Sequence, residues 1–183
     1  IRDRYIVEYK DDATAFNGLK KGTITNKGIM NNRISEKLFR LLEEKGVDTH
    51  QVERISDREV VVKKVKIIPL EVLVRNYAAG SLSKRFGLEE GVKLNSTVLE
   101  FAYKNDGLGD PMVNDYHIKA IGIATEQEVA KITEMALKIN EILSEFMLTK
   151  GILLVDFKLE FGKTPDGKII LADEISPDTC RLW

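Results

Sequence analysis

Residues 155–174 read VDFKLEFGKTPDGKIILADE, a stretch that sets ionisable groups into segments otherwise built from apolar side chains. Side chains alternate faces along a strand, so Asp156, Lys158 and Glu160 share one face while Phe157, Leu159 and Phe161 share the other. Pro165, Asp166 and Gly167 suit a tight turn, which makes residues 153–161 and 168–173 the two arms of a hairpin. With the turn at 164–167, Lys163 faces Lys168, and the register carries Lys158 opposite Asp173 with Glu160 as a diagonal neighbour. Two carboxylates held a few ångströms apart repel, which raises one pKa unless a cation such as Mg²⁺ lies between them. Such an arrangement suits phosphoryl transfer. The simpler alternative is a solvated polar face carrying a Lys–carboxylate cross-strand pair.

A second chemical cluster occupies residues 72–87, VLVRNYAAGSLSKRFG. Gly80 allows close backbone approach, Ser81 and Ser83 offer hydroxyls, and Arg75, Lys84 and Arg85 supply positive charge for a phosphate. The pattern is neither a Walker A loop nor G-x-G-x-x-G, so an anion site and a helix cap with surface charges both remain open on pattern alone.

The elements that must position these groups are mixed. Residues 5–9 (YIVEY) and 59–68 (EVVVKKVKII) are rich in β-branched and aromatic residues and read as strands, the second ended by Pro69, which marks a boundary between residues 1–68 and 69–183. Between them, NRISEKLFRLLEEKG places Ile34, Leu38, Leu41 and Leu42 on one helical face. In TEQEVAKITEMALKINEILSEFMLTKG, Val129, Ile132, Ala136, Ile139, Leu143 and Phe146 recur at spacings of three and four, and Thr125 with Glu128 forms a capping box. That stripe is expected to pack against a sheet.

Composition narrows the function classes. The chain has 183 residues, 28 basic against 29 acidic, and a formal net charge of −1, so no global field recruits nucleic acid or an anionic membrane. No apolar run approaches the roughly 20 residues that span a bilayer. The single cysteine, Cys180, rules out an intrachain disulfide and suits a reducing compartment, which makes the cytoplasm the expected location. His50 and His117 read as surface or core positions, and Cys180 has no paired histidine to make it a nucleophile.

Four composite motifs in order, VVVKKVKIIPLEVLVRNYAAGSLSKRFG, KNDGLGDPMVND, LLVDFKLEFG and ILADEISPDTCRLW, resemble the SAICAR synthetase family (phosphoribosylaminoimidazole-succinocarboxamide synthase) over nearly the whole chain. The resemblance implies an α+β fold of two lobes. Residues 1–68 would form an antiparallel, kinase N-lobe or ATP-grasp-like nucleotide-binding lobe, and residues 69–183 a larger substrate- and metal-binding lobe. It implies an ATP-dependent ligase of purine biosynthesis. Such an enzyme joins L-aspartate to the carboxylate of carboxyaminoimidazole ribotide (CAIR) through an acyl phosphate, giving SAICAR, ADP and phosphate. The partners so implied are small molecules, with a homodimer as the assembly.

The same resemblance gives individual residues roles. Arg75, Ser81 and Arg181 would bind the ribotide 5′-phosphate, and Asp178 would be a further ribotide contact. Glu160 and Asp173 would hold Mg²⁺ on the ATP phosphates, and Asp156 and Lys158 would lie beside the imidazole carboxylate as catalytic residues. The backbone of Lys66, Ile67 and Ile68 would pair with adenine as a kinase hinge does. KNDGLGDPMVND matches the family's mobile segment, with Asp110 as its substrate contact. Family members begin with a hairpin bearing Gly-Lys-x-Lys and continue past RLW into a helical segment, so both are expected to lie outside these 183 residues. Two alternatives share some of these parts. A kinase-like phosphotransferase would need an H-R-D loop and D-F-G where the chain has Asp156-Phe157-Lys158, and a non-catalytic nucleotide-binding module would not need Asp156, Lys158, Glu160 and Asp173 together.

Overall fold

The β-branched run at 59–68 does not form one strand. In the computed structural model, which describes residues 3–15 and 20–183, it splits at residues 64–65. The elements run β1 (Arg4–Glu8), β2 (Asp12–Ala15), β3 (Lys20–Thr23), α1 (Lys27–Glu44), β4 (Gln51–Arg54), β5 (Glu59–Lys63), β6 (Lys66–Tyr77), α2 (Gly80–Phe86), β7 (Lys93–Tyr103), β8 (Met112–Val113), α3 (Asp115–Ile121), α4 (Glu126–Leu148), β9 (Leu154–Lys163), β10 (Ile169–Ala172) and β11 (Cys180–Leu182). The architecture is α+β. Strands β1, β5 and β4 form one antiparallel sheet, β2 and β3 a separate hairpin, and β10, β9, β6, β7 and β8 the main sheet, with β11 also paired to β9. Among the described residues no helix is long and apolar enough to cross a membrane.

Pro69 does not end a strand, because β6 runs straight through it, and a boundary drawn there falls inside that strand. The register between β6 and β9 shifts between Ile67 and Glu71, so Pro69 sits in a bulge where its missing N–H removes no ladder bond. Its carbonyl is used all the same, accepting from the Lys104 N–H at 3.1 Å.

Alternation along β6 and β9 gives the main sheet two unlike faces. Leu70, Val72 and Val74 of β6 and Phe157, Leu159 and Phe161 of β9 enter the core. Helix α4 covers that face, packing on β6, β9 and β10, and its stripe of Val129, Ile132, Ala136, Ile139 and Leu143 is buried as its period requires. The capping box at its start forms as expected, with Thr125 and Glu128 exchanging bonds. Leu38, Phe39 and Leu42 of α1 join the same core. Fully burying each such side chain stabilises by roughly 1.5–3 kcal/mol, so the apolar face fixes which way β6 and β9 turn their other side chains.

That other face carries the ions. Antiparallel pairing sets Arg75 beside Asp156, Leu73 beside Lys158 and Glu71 beside Glu160, while Glu100 of β7 lies beside Leu73 on the opposite edge. The β9–β10 register corrects the expected one by a residue: Lys163 faces Ile169 and Glu160 faces Ala172, so Lys158 is not directly opposite Asp173. The loop is longer because Gly167 takes φ +87 and Thr164 closes the turn onto the Lys168 carbonyl at 2.9 Å.

Candidate functional site

Two groups of charged side chains occupy the polar face, each containing a carboxylate withdrawn from water, while Lys158, Asp173 and Lys104 of the second keep a quarter or more of their side chains exposed. In the first, Arg75 is 5% exposed and Asp156 8% exposed. All of Arg75's nitrogens are engaged: Nε donates to Glu100 Oε2 at 2.9 Å, one terminal nitrogen to Asp156 Oδ2 at 2.9 Å, and the other to Ser81 Oγ at 3.0 Å. Arg181 reaches the same Asp156 oxygen at 3.1 Å, carried there because β11 pairs Arg181 directly with Asp156. Arg85, from the last turn of α2, bonds the second oxygen of Glu100. Of the three positions expected to grip a phosphate, Arg75 and Arg181 therefore meet at one carboxylate, and Ser81 joins them through Arg75. Burial raises the Asp156 carboxyl above its ordinary range against the opposing pull of Arg181 and Arg75.

The Arg181 guanidinium lies against Gly80: a Cβ built there would fall 2.6 Å from one of its terminal nitrogens.

The second group centres on the Lys158 ammonium, which lies 2.6 Å from Glu160 Oε1, 3.1 Å from Asp173 Oδ2 and 3.6 Å from Glu71 Oε1. Lys104 holds both oxygens of Glu160, at 2.5 and 2.6 Å. Thus Lys158, Glu160 and Asp173 do come together despite the shifted register, because Asp173 leaves β10 with φ +57 and turns back toward Lys158. Burial pushes Glu160 up, but hydrogen bonds from Lys104 and Lys158 outweigh it and hold the carboxyl below its usual range. Asp173 goes the other way, raised by burial and then by the Glu160 charge. Burial would lower Lys158; Asp173 and Glu160 outweigh that and keep it firmly protonated.

Asp178 is set apart from the arginine group. Its Oδ2 is held by the Lys27 ammonium at 2.5 Å and the Asn31 amide at 2.9 Å, both from the first turns of α1. It lines a cleft of about 390 Å³ together with Tyr9, His50, Asp173 and Glu174. Asp110 is not brought to either group by its recorded contacts, since its carboxylate accepts the Asn105 N–H at 2.7 Å and closes the turn after β7. Lys66 and Ile67 are exposed and Ile68 is buried. Strand β7 pairs with β6 only from Leu70 onward, so among the described residues that stretch has β9 on one edge and no strand on the other.

Some contributors escaped the sequence reading. Lys104 lies in the quoted loop KNDGLGDPMVND, but a lysine in a polar loop has no period to mark it. Glu71 and Glu100 were findable: each is an acid inside an apolar strand run, LEVLV and VLEFAY, the same signal that marked Asp156. His50 is buried edge-on against Phe39 and its pKa is lowered to about 4 by burial, while His117 serves as a cap at the start of α3. Burial pushes the Cys180 thiol up to about 12, which leaves it inert as a nucleophile.

The family model for SAICAR synthetase matches residues 1–183. The phosphoribosylaminoimidazole-succinocarboxamide synthase of Thermoanaerobacter sp. (strain X514) is 66% identical over 179 residues, covering 98% of this chain and 76% of that protein. A solved structure of a SAICAR synthetase in complex with ADP superposes with a TM-score of 0.96 at 54% identity, covering 99% of this chain and 77% of the other. The synthase from Ehrlichia chaffeensis gives 0.97 at 50% identity, over 100% of this chain and 78% of the other. A chain matched by the family model over residues 1–183 and 66% identical to a named member belongs to the SAICAR synthetase family, the ATP-dependent ligases of purine biosynthesis.

Proposed function

We propose that the two ionic groups divide the reaction between them, the arginine group holding CAIR and the lysine–carboxylate group serving phosphoryl transfer from ATP. The observation that carries this reading is the convergence of Arg75 and Arg181 on one buried carboxylate, with Ser81 bonded to Arg75, although these residues are spread over more than a hundred positions of sequence. A guanidinium fork suits a phosphate, and each of these arginines keeps N–H groups free of the contacts described above. The family resemblance adds Asp178 and Asp110 as ribotide contacts, although Asp178 is bound by Lys27 and Asn31 and Asp110 by the Asn105 N–H rather than by the arginine group. Adenine pairs with the open edge at Lys66, Ile67 and Ile68. In this reading residues 1–68 supply the nucleotide-binding side and residues 69–183 the substrate- and metal-binding side, with β6 running continuously across the junction.

A carboxylate is a poor acyl donor because it cannot expel oxide, whereas an acyl phosphate loses phosphate readily to an attacking amine. Lys158, fully protonated, sits where it can neutralise charge on the phosphoryl group in transit, and Asp156, which lies with it beside the CAIR carboxylate, also holds Arg75 and Arg181 for the ribotide phosphate. Glu160 and Asp173 share the Lys158 ammonium, Glu160 is held by Lys104 as well, and the adjacent Glu174 has a buried oxygen without a hydrogen-bond partner. This donor set fits Mg²⁺, which takes one or two carboxylates and completes its shell with phosphate oxygens and water, so Glu160 and Asp173 would hold it. Mg²⁺ there supplies charge stabilisation to the ATP phosphates. The same reading includes a cytoplasmic location and the homodimer implied by the family.

Oxygen labelling tests the mechanism. With ¹⁸O in both carboxylate oxygens of CAIR, the intact enzyme should release phosphate carrying one ¹⁸O, and the amide product should keep the other. Turnover should require both CAIR and L-aspartate. Unlabelled phosphate would mean that ATP is hydrolysed apart from the ligation, and the roles given to Lys158, Glu160 and Asp173 would fall.

A further inference from the structure

We infer that Glu100 is a positioning residue for the ribotide phosphate, holding Arg75 and Arg85 side by side at the rim of the site; this rests on the reading of Arg75 as a phosphate contact. Glu100 projects from β7, and its two oxygens are divided between two guanidiniums. Oε2 accepts from Arg75 Nε at 2.9 Å and Oε1 accepts from Arg85. Its side chain is 15% exposed and that of Arg75 is 6%, so the bond to Arg75 is largely withdrawn from water. Arg85 stands on the last turn of α2, 35% exposed, and Glu100 is the one acid it pairs with among the described residues. Ties run on from there: Arg85 to Glu100, Glu100 to Arg75, Arg75 to Asp156, Asp156 to Arg181. Three guanidiniums and two carboxylates alternate, leaving the chain of ions with one net positive charge.

The Arg75 guanidinium is a rigid planar fork, and no terminal nitrogen turns independently of Nε. Fixing it at Glu100 therefore sets the direction in which both terminal nitrogens point, toward Ser81 on one side and Asp156 on the other. Glu100 also draws Arg85, otherwise a flexible surface side chain, toward the same edge of the sheet. Orientation and charge then make opposite demands. Removing the Glu100 charge leaves the site more positive, and by Coulomb attraction alone a phosphate should bind more tightly. If Glu100 acts by orientation, binding should weaken.

The test is Glu100→Gln in the intact enzyme, read by steady-state KM for CAIR and for ATP and by titration with ribose 5-phosphate. Gln keeps the volume and one acceptor but cannot serve both arginines as a charged partner. The expected result is a rise of roughly tenfold in KM for CAIR and in the dissociation constant for ribose 5-phosphate, the scale of one charge-assisted contact, with KM for ATP nearly unchanged. In an Arg75→Ala background the same substitution should add less than threefold. Tighter or unchanged binding of CAIR by Glu100→Gln, while Arg75→Ala alone weakens it, overturns the role of Glu100. If Arg75→Ala leaves CAIR binding intact, the reading of the phosphate site fails instead. Should Glu100→Gln fold poorly, Arg85→Met carries the test, with a KM for CAIR raised twofold to fivefold that converges with wild type as salt screens the exposed charge; a KM equal to wild type at low salt removes Arg85 from the site.

Discussion

Replacing Gly80 by alanine should separate strain from substrate binding in a single variant. Gly80 opens α2 with φ +55, a region where an L side chain costs about 1 kcal/mol or somewhat more. At this chain length that corresponds to a fall in Tm of roughly 2–4 °C. The new methyl carbon would also stand 2.6 and 2.8 Å from the terminal nitrogens of Arg181 and 3.1 Å from its Cζ, closer than carbon tolerates. What lies there is the far end of a flexible side chain rather than backbone, so the guanidinium gives way and leaves Asp156 Oδ2, which it otherwise meets at 3.1 Å. The loss for CAIR is then that of one charge-assisted contact, about 1.5–3 kcal/mol, or roughly tenfold to a hundredfold in affinity. KM for ATP should hardly move. The assay pairs thermal unfolding with KM for both substrates, in wild type and in an Arg181→Ala background. With Arg181 already removed, Gly80→Ala should still lower Tm but cost no further CAIR affinity. An equal CAIR loss in both backgrounds would show that the methyl group acts through something other than Arg181, and the reasoning would be refuted.

Glu160→Gln and Asp173→Asn should each cut ATP turnover by orders of magnitude, yet differ in stability. Glu160 is 2% exposed and serves both Lys104 and Lys158, so its loss costs about 1–3 kcal/mol, the scale of charged hydrogen bonds lost from a buried site. Asp173→Asn should leave Tm at neutral pH unchanged or higher, because burial already opposes its charge; equal falls in Tm for the two variants would contradict this. His50 should make the fold acid-sensitive. Its pKa of about 4 lies below the ordinary 6.5, so on acidification the unfolded chain takes up a proton that the folded chain refuses, and stability falls between pH 6.5 and 4 by roughly 3 kcal/mol in all. His50→Gln should flatten that part of the Tm–pH curve, and an unaltered slope would reject the assignment.

Much of this fold can be read from period alone. The alternation of β9 gave the correct two faces, and the stripe of α4 gave the correct buried side, because one residue too many or too few would expose a row of Phe and Leu to water. The turn between β9 and β10 was less legible. No apolar residue there forces a register, and Gly167 in the left-handed region lengthens the loop by one position. Pro69 misled for a similar reason: a proline blocks a ladder only where its N–H is called for, and the bulge between Ile67 and Glu71 removes that demand. At the site, the acids inside strands were visible as conflicts between charge and burial. Lys104 was not, since its importance comes entirely from the partner it meets 56 positions further along the chain.

The chain of alternating ions has a consequence for how the molecule folds. Its links are long in sequence: Arg75 meets Asp156 across 81 positions, Asp156 meets Arg181 across 25, and β6 must pair with β9 before either bond exists. Contacts of such separation close late, after the entropy of the intervening loop has been spent. A partly folded chain thus holds α1 or the α4 helix without holding the proposed phosphate site, and ligand binding there would reward only the finished topology. Phosphate-bearing substrate should accordingly slow unfolding and protect against proteolysis in proportion to RT ln(1 + [L]/Kd), while doing nothing to speed the early steps by which the helices form.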